Sequence, residues 1–153
     1  MNKYLLLLFC CLTPLATAAE IEMTDAWARA TVGTMRTSAV YGTLHNQSST
    51  DLTLVQVSSP VAKRAELHTH TQNEQGVMRM TQLQSITIPA GEQHVFKPGA
   101  DHIMLLHLNQ NLEADTEIPL RLEFANGNFR NIRAVVRPLS HHMKNDHKSH
   151  DHH

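Results

Sequence analysis

The sequence predicts an all-β domain, an antiparallel sandwich or barrel, and three observations carry that expectation. Short stretches alternate apolar and polar residues with a period of two. Gly, Pro and Asn turn signals recur between them. No stretch of about ten residues shows the apolar 3.6 periodicity of a packed helix. Asp51 to Val57 is rich in β-branched and apolar residues. Ile118 to Phe124 places Ile118, Leu120, Leu122 and Phe124 on one face and Arg121 and Glu123 on the other. Asn126-Gly127 follows, a pair that accepts positive φ and suits a tight hairpin, and the chain returns through Phe129 to Arg137. Pro89-Ala90-Gly91 and Pro98-Gly99 mark two further turns, and Asn46 to Thr50 reads as a polar loop. Aromatic residues are only 5% of the chain, so a core has to rest on Leu, Val and Ile. Frequent turns between short strands then favour a sandwich or barrel.

The ends differ in composition from this middle. Lys3 precedes an apolar run from Tyr4 to Leu12, Pro14 breaks it, and Ala16-Thr17-Ala18 offers the small residues a signal peptidase reads. The run falls short of the roughly 20 residues of a membrane span. Residues 1–18 are therefore expected to be a cleaved signal peptide that exports the chain to the periplasm, with Ala19 a close second as cleavage point. A lipid anchor is disfavoured, because bulky Phe9 and Cys10 precede Cys10 and Cys11. Residues 19–139 are expected to form one domain, with no stable membrane insertion after cleavage, and residues 140–153 a disordered tail. Both cysteines fall in the removed segment. The exported chain then has no disulfide, thiolate ligand or Cys nucleophile, and any soft metal ligand has to be methionine. A net charge of −1 argues against a nucleic-acid partner.

Histidine is the anomaly, with 12 residues against 13 Lys plus Arg. Three strand-like pieces carry His and Met at a period of two, so each projects a pair from one face: His68 with His70, Met78 with Met80, and His102 with Met104. Thioethers are soft, uncharged ligands that suit Cu(I), and imidazole adds affinity without selecting the metal. A structural zinc site would offer Cys, His or carboxylates in a closed tetrahedron. The pattern points to a Cu(I) site through His68, Met80, His102 and Met104, with His70 as a possible accessory ligand. Met78 also fits a core gap-filler, His45, His94 and His107 fit plain surface positions, and Met23 and Met35 fit packing or loop positions. No Gly-x-Ser-x-Gly elbow or His-Glu-x-x-His motif occurs, which speaks for a carrier rather than an enzyme. Blue-copper electron transfer would need a Cys thiolate.

On these residues the sequence resembles the PCu(A)C-type periplasmic copper chaperones. His68, eleven residues, Met80, twenty-one residues and then His102-Ile103-Met104 match that family's ligand pattern. Asp25-Ala26-Trp27-Ala28-Arg29-Ala30, Glu66-Leu67-His68, Gly76-Val77-Met78-Arg79-Met80, Ile88-Pro89-Ala90-Gly91 and Lys97-Pro98-Gly99 fit as well, so the resemblance runs from about Ile21 to Val136. His70 stands where relatives often carry Met. The resemblance implies a cupredoxin-like Greek-key β-sandwich. It also implies Cu(I) delivery to a copper-accepting protein, a cytochrome c oxidase subunit or assembly factor, at the dinuclear copper centre. The alternative is a periplasmic protein that sequesters copper for tolerance, and a third reading is a copper-dependent redox enzyme.

The tail is a separate feature. Ser140 to His153 holds His141, His142, His147, His150, His152 and His153. Such a tract binds Cu(II), Ni²⁺ or Zn²⁺ without fixed geometry. Interleaved Asp, Lys, Met and Ser argue against a purification tag.

Overall fold

A computed structural model describes residues 21–138; the expected signal peptide (1–18) and the His-rich tail (140–153) lie outside the described residues. Ten strands follow in order: β1 (Ile21–Arg29), β2 (Thr37–Asn46), β3 (Leu52–Ser58), β4 (Ala62–Gln72), β5 (Met78–Leu83), β6 (Ile86–Ile88), β7 (Gln93–Phe96), β8 (His102–Leu108), β9 (Glu117–Phe124) and β10 (Phe129–Arg137). No helix occurs among the described residues. The stretches read as strands at Asp51 to Val57, Ile118 to Phe124 and Phe129 to Arg137 became β3, β9 and β10. β9 buries Ile118, Leu120, Leu122 and Phe124, the face its alternation marked.

The strands form one continuous sheet in the order β5-β4-β8-β2-β1-β10-β9-β3-β6, with β7 on β2. A short β3–β4 pairing at Val57 and Ala65 folds the sheet back on itself. Pairing is antiparallel except between β1 and β10, which run parallel from Trp27 opposite Val135 to Arg29 opposite Arg137. The enclosed core is aliphatic, with Val40, Leu54, Ile103, Leu105, Leu122 and Val136 fully buried and Phe96 and Phe124 among them. Each fully buried side chain of this size contributes about 1.5–3 kcal/mol.

The turns follow their residues. Pro98 and Gly99 close a turn in which the Ala100 N–H donates to the Lys97 carbonyl, with Gly99 at φ +78°. That is the Pro-Gly pattern of a type II turn. The β9–β10 turn differs from the expected Asn-Gly geometry. Gly127 alone has positive φ, and its N–H donates to the Phe124 carbonyl. The loop is a type I turn followed by a left-handed glycine, the usual longer hairpin solution. Asn46 is no loop residue; it is buried at the end of β2 and its amide donates to the carbonyls of Thr50, Ile88 and Pro89. Its Oδ1 accepts from the backbone N–H and hydroxyl of Ser48. These bonds tie the β6–β7 connection to the barrel wall.

Candidate metal centre

β4 lies between β5 and β8, antiparallel to both. That placement brings the three His/Met pieces side by side, although they lie far apart in the chain. On the β8 side His68 sits opposite His102 and Glu66 opposite Met104. On the β5 side His70 sits opposite Met80 and Gln72 opposite Met78. The alternate residues Leu67, Ile103 and Leu105 are buried in the core, so the period of two forces the His and Met side chains to the other face.

His102 is the centre of the group and is itself only 2% exposed. Its ring centroid lies 5.1 Å from that of His70, 5.9 Å from His68 and 6.3 Å from Tyr41. Its Nδ1 lies 2.9 Å from the Ala100 carbonyl oxygen, which can only accept. The proton is therefore placed on Nδ1, and Nε2 keeps its lone pair for a metal. Burial holds the imidazole below its ordinary proton affinity, and the neighbouring His70 and His68 add to this; the Ala100 bond and Asp101 oppose it.

His68 is oriented in the mirror sense. Its Nε2 lies 2.8 Å from Glu66 Oε2, so the ring N–H donates to the carboxylate, while its buried Nδ1 has no hydrogen-bond partner. A carboxylate on one ring nitrogen and a free lone pair on the other is the arrangement that prepares a histidine for a metal. His70 also has a buried Nδ1 without a partner.

A cavity of about 360 Å³ opens on this face. His70, Met80, His102 and Met104 line it, joined by Tyr41 and Met35. His68 does not line it and sits opposite His102 on the neighbouring strand. Met78 is 54% exposed, which rules out the core gap-filler role; its place near the β4–β5 turn puts it outside the cavity. His107 is exposed, whereas His45 and His94 are half-buried, near Thr24 Oγ1 at 3.0 Å and Asp101 Oδ2 at 3.1 Å. Among the described residues no group of three or more His, Cys, Asp and Glu is arranged for a metal. What this face adds to imidazole is thioether sulfur, a soft donor.

Reading the sequence alone missed three contributors. Glu66 was legible in principle, since a carboxylate two residues before His68 shares its face. The Ala100 carbonyl and Met35 carry no sequence signal, because both depend on how loops close over the sheet.

The depressed proton affinity of His102 has a consequence for stability. As pH falls through about 6.5, the unfolded chain gains a proton that folded His102 resists, so acid favours unfolding until the folded group also protonates. The metal-free protein is expected to lose stability below that pH, and His102→Gln to show a shallower loss. Denaturation midpoints measured from pH 7.5 downward check this; equal slopes in the two proteins would refute it.

Comparison with known proteins gives the family and the fold. The family model described as LpqE-like matches residues 21–136. A Leifsonia xyli subsp. xyli protein named as a lipoprotein, Lxx21020, is 31% identical over 129 residues, covering 84% of this chain and 76% of its own. The apo PCuAC domain from PmoF1 superposes with a TM-score of 0.67 at 20% identity, covering 80% of this chain and 97% of that domain, which speaks for the fold. The solution structure of CuI-DR1885 from Deinococcus radiodurans gives 0.60 at 29% identity, covering 74% of this chain and 75% of that one. With the family match spanning the whole β-domain around the His/Met face, this chain belongs to the LpqE-like family, the family of PCuAC-type domains.

Proposed function

We propose that this protein is a periplasmic copper chaperone that carries one Cu(I) at His68, Met80, His102 and Met104, with His70 as accessory ligand. The observation that carries the reading is the convergence of His102, His70, Met80 and Met104 on one open cavity, with the pre-oriented His68 paired to His102 on the neighbouring strand. His102 Nε2 and His68 Nδ1 both keep free lone pairs, while Ala100 and Glu66 hold their other nitrogens. Met80 is 47% exposed, so a cargo there is within reach of a docking partner. All four ligands are neutral, which leaves Cu(I) its charge and lets it pass to a stronger ligand set. The copper-bound relative named above supports the cargo.

Residues 1–18 are the cleaved export signal in this reading, and the lipoprotein name of the Leifsonia relative is consistent with export. The acceptor is the dinuclear copper centre of cytochrome c oxidase, reached through an oxidase subunit or assembly factor. The test is transfer. Cu(I)-loaded protein mixed with a metal-free soluble oxidase fragment is expected to yield the spectrum of the dinuclear centre. Loaded protein that keeps its copper, together with copper sensitivity of cells lacking it, would overturn delivery in favour of sequestration.

The tail extends the proposal. His141, His142, His147, His150, His152 and His153 collect Cu(II) through neutral imidazole, so capture fades as pH falls through about 6.5. A tail tethered to the domain holds captured metal at roughly millimolar effective concentration. Truncation after Leu139 is expected to abolish Cu(II) uptake, slow loading from Cu(II) plus reductant, and leave Cu(I) affinity of the core nearly unchanged. Stoichiometry and loading rates of the two proteins at neutral pH check this; equal values would leave the tail a solvated end.

A further inference from the structure

We infer that Met35, in the loop between β1 and β2, supplies a third thioether to bound Cu(I) and is the ligand that lets go first when copper is handed over. The inference rests on the copper site proposed above; because Cu(I) takes a tetrahedral set at most, Met35 completes that set with Met80, His102 and Met104, which share its cavity, in place of His68, which does not line it.

Met35 is 38% exposed, so packing does not account for it. It lines the same cavity as His70, Met80, His102 and Met104, yet comes from the loop between β1 and β2 rather than from a strand. That loop is anchored at both ends. Thr31 exchanges hydrogen bonds with Leu112, its N–H donating to the Leu112 carbonyl and its hydroxyl accepting from the Leu112 N–H. The Arg36 carbonyl accepts from the Leu108 N–H. Between the anchors the Met35 N–H donates to the Val32 carbonyl at 3.2 Å across Gly33, which has φ +59° and open space around it. A short turn between fixed ends lets one side chain swing while the sheet stays still. Met has three flexible side-chain torsions with which to do so.

The chemistry of the cavity favours such a ligand. Arg29 also lines it, and no carboxylate does. A cation is then retained by soft donor bonds rather than by charge attraction, and each thioether counts. A strand-borne thioether leaves by side-chain rotation alone, because the ladder fixes its backbone, whereas a loop-borne one can also move with its loop.

The test uses the full chain with ¹³C-labelled methionine methyl groups, assigned by single Met→Leu substitutions. On adding one equivalent of Cu(I) under reducing conditions, the Met35 methyl signal is expected to shift together with those of Met80 and Met104, while Met78 stays near its metal-free position. Met35→Leu is expected to keep its melting temperature and to lose Cu(I) to a competing chelator about tenfold faster, equivalent to about 1.4 kcal/mol. A Met35 signal that stays put while Met80 and Met104 move would overturn this inference and leave the copper site standing. Static signals from Met80 and Met104 would overturn the site and Met35's role with it. Unchanged loss from Met35→Leu would overturn the release role.

Discussion

Leucine at both Met80 and Met104 is expected to lower Cu(I) affinity by at least about 100-fold, close to 3 kcal/mol, and to leave the fold intact. The two parts have different causes. Leu matches Met in volume and apolarity, so each exchange costs less than about 1.5 kcal/mol of stability. Met80 is half exposed, which places its cost at the low end. The sulfur atoms, however, are the soft donors of the face, since the described chain has no cysteine. Met78→Leu is the control. It changes the same atoms on the same strand but outside the cavity, and is expected to alter affinity little. Competition titration with a Cu(I) chelator under reducing conditions gives the three affinities. Equal losses for Met78→Leu and Met80→Leu would mean that copper sits nearer the β4–β5 turn than the cavity. Zn²⁺ affinity matching that for Cu(I) in the wild type would reject the soft-donor argument itself.

Gly42→Ala is expected to destabilise the domain by about 3–5 kcal/mol, combining backbone strain with overpacking. Gly42 has φ +147°, a region L side chains rarely adopt. A Cβ there would lie 3.0 Å from the Ala26 Cα and from the Thr24 carbonyl oxygen, both backbone atoms that cannot step aside. The crowding arises because β1 bulges between Thr24 and Trp27, with Asp25 at φ +51°. The bulge bends β1 and turns side chains relative to a regular ladder. Trp27 then meets Tyr41 with ring centroids 4.5 Å apart, and Tyr41 meets His102. Gly42 therefore sits next to Tyr41, whose ring centroid lies 6.3 Å from that of His102. Chemical denaturation measures the loss of stability. A loss under about 1 kcal/mol would show that β1 can shift away, against the close packing of the interior.

The alternation of Ile118 to Phe124 predicted a strand because that face is buried on one side only, and local pattern is then sufficient. β2 was harder to recognise as a strand. Ser38 to Tyr41 are buried in succession, so alternation blurs where both faces are covered. The parallel β1–β10 pair was beyond reach for another reason: it joins opposite ends of the chain, and no local signal encodes a partner that far away.

The same division holds for the site. Sequence by itself determined the donor types and their pairing, because a period of two puts His68 with His70 and His102 with Met104 on common faces whatever the strands do next. It also determined softness, since the described residues carry methionine and no cysteine. Only the tertiary structure decided that β4 lies between β5 and β8, which of the thioethers reach one cavity, and that Met35 joins them from a loop. It likewise decided that Glu66 and the Ala100 carbonyl orient the two imidazoles. Donor identity is a property of single residues, whereas convergence depends on register between strands, which long-range pairing alone sets.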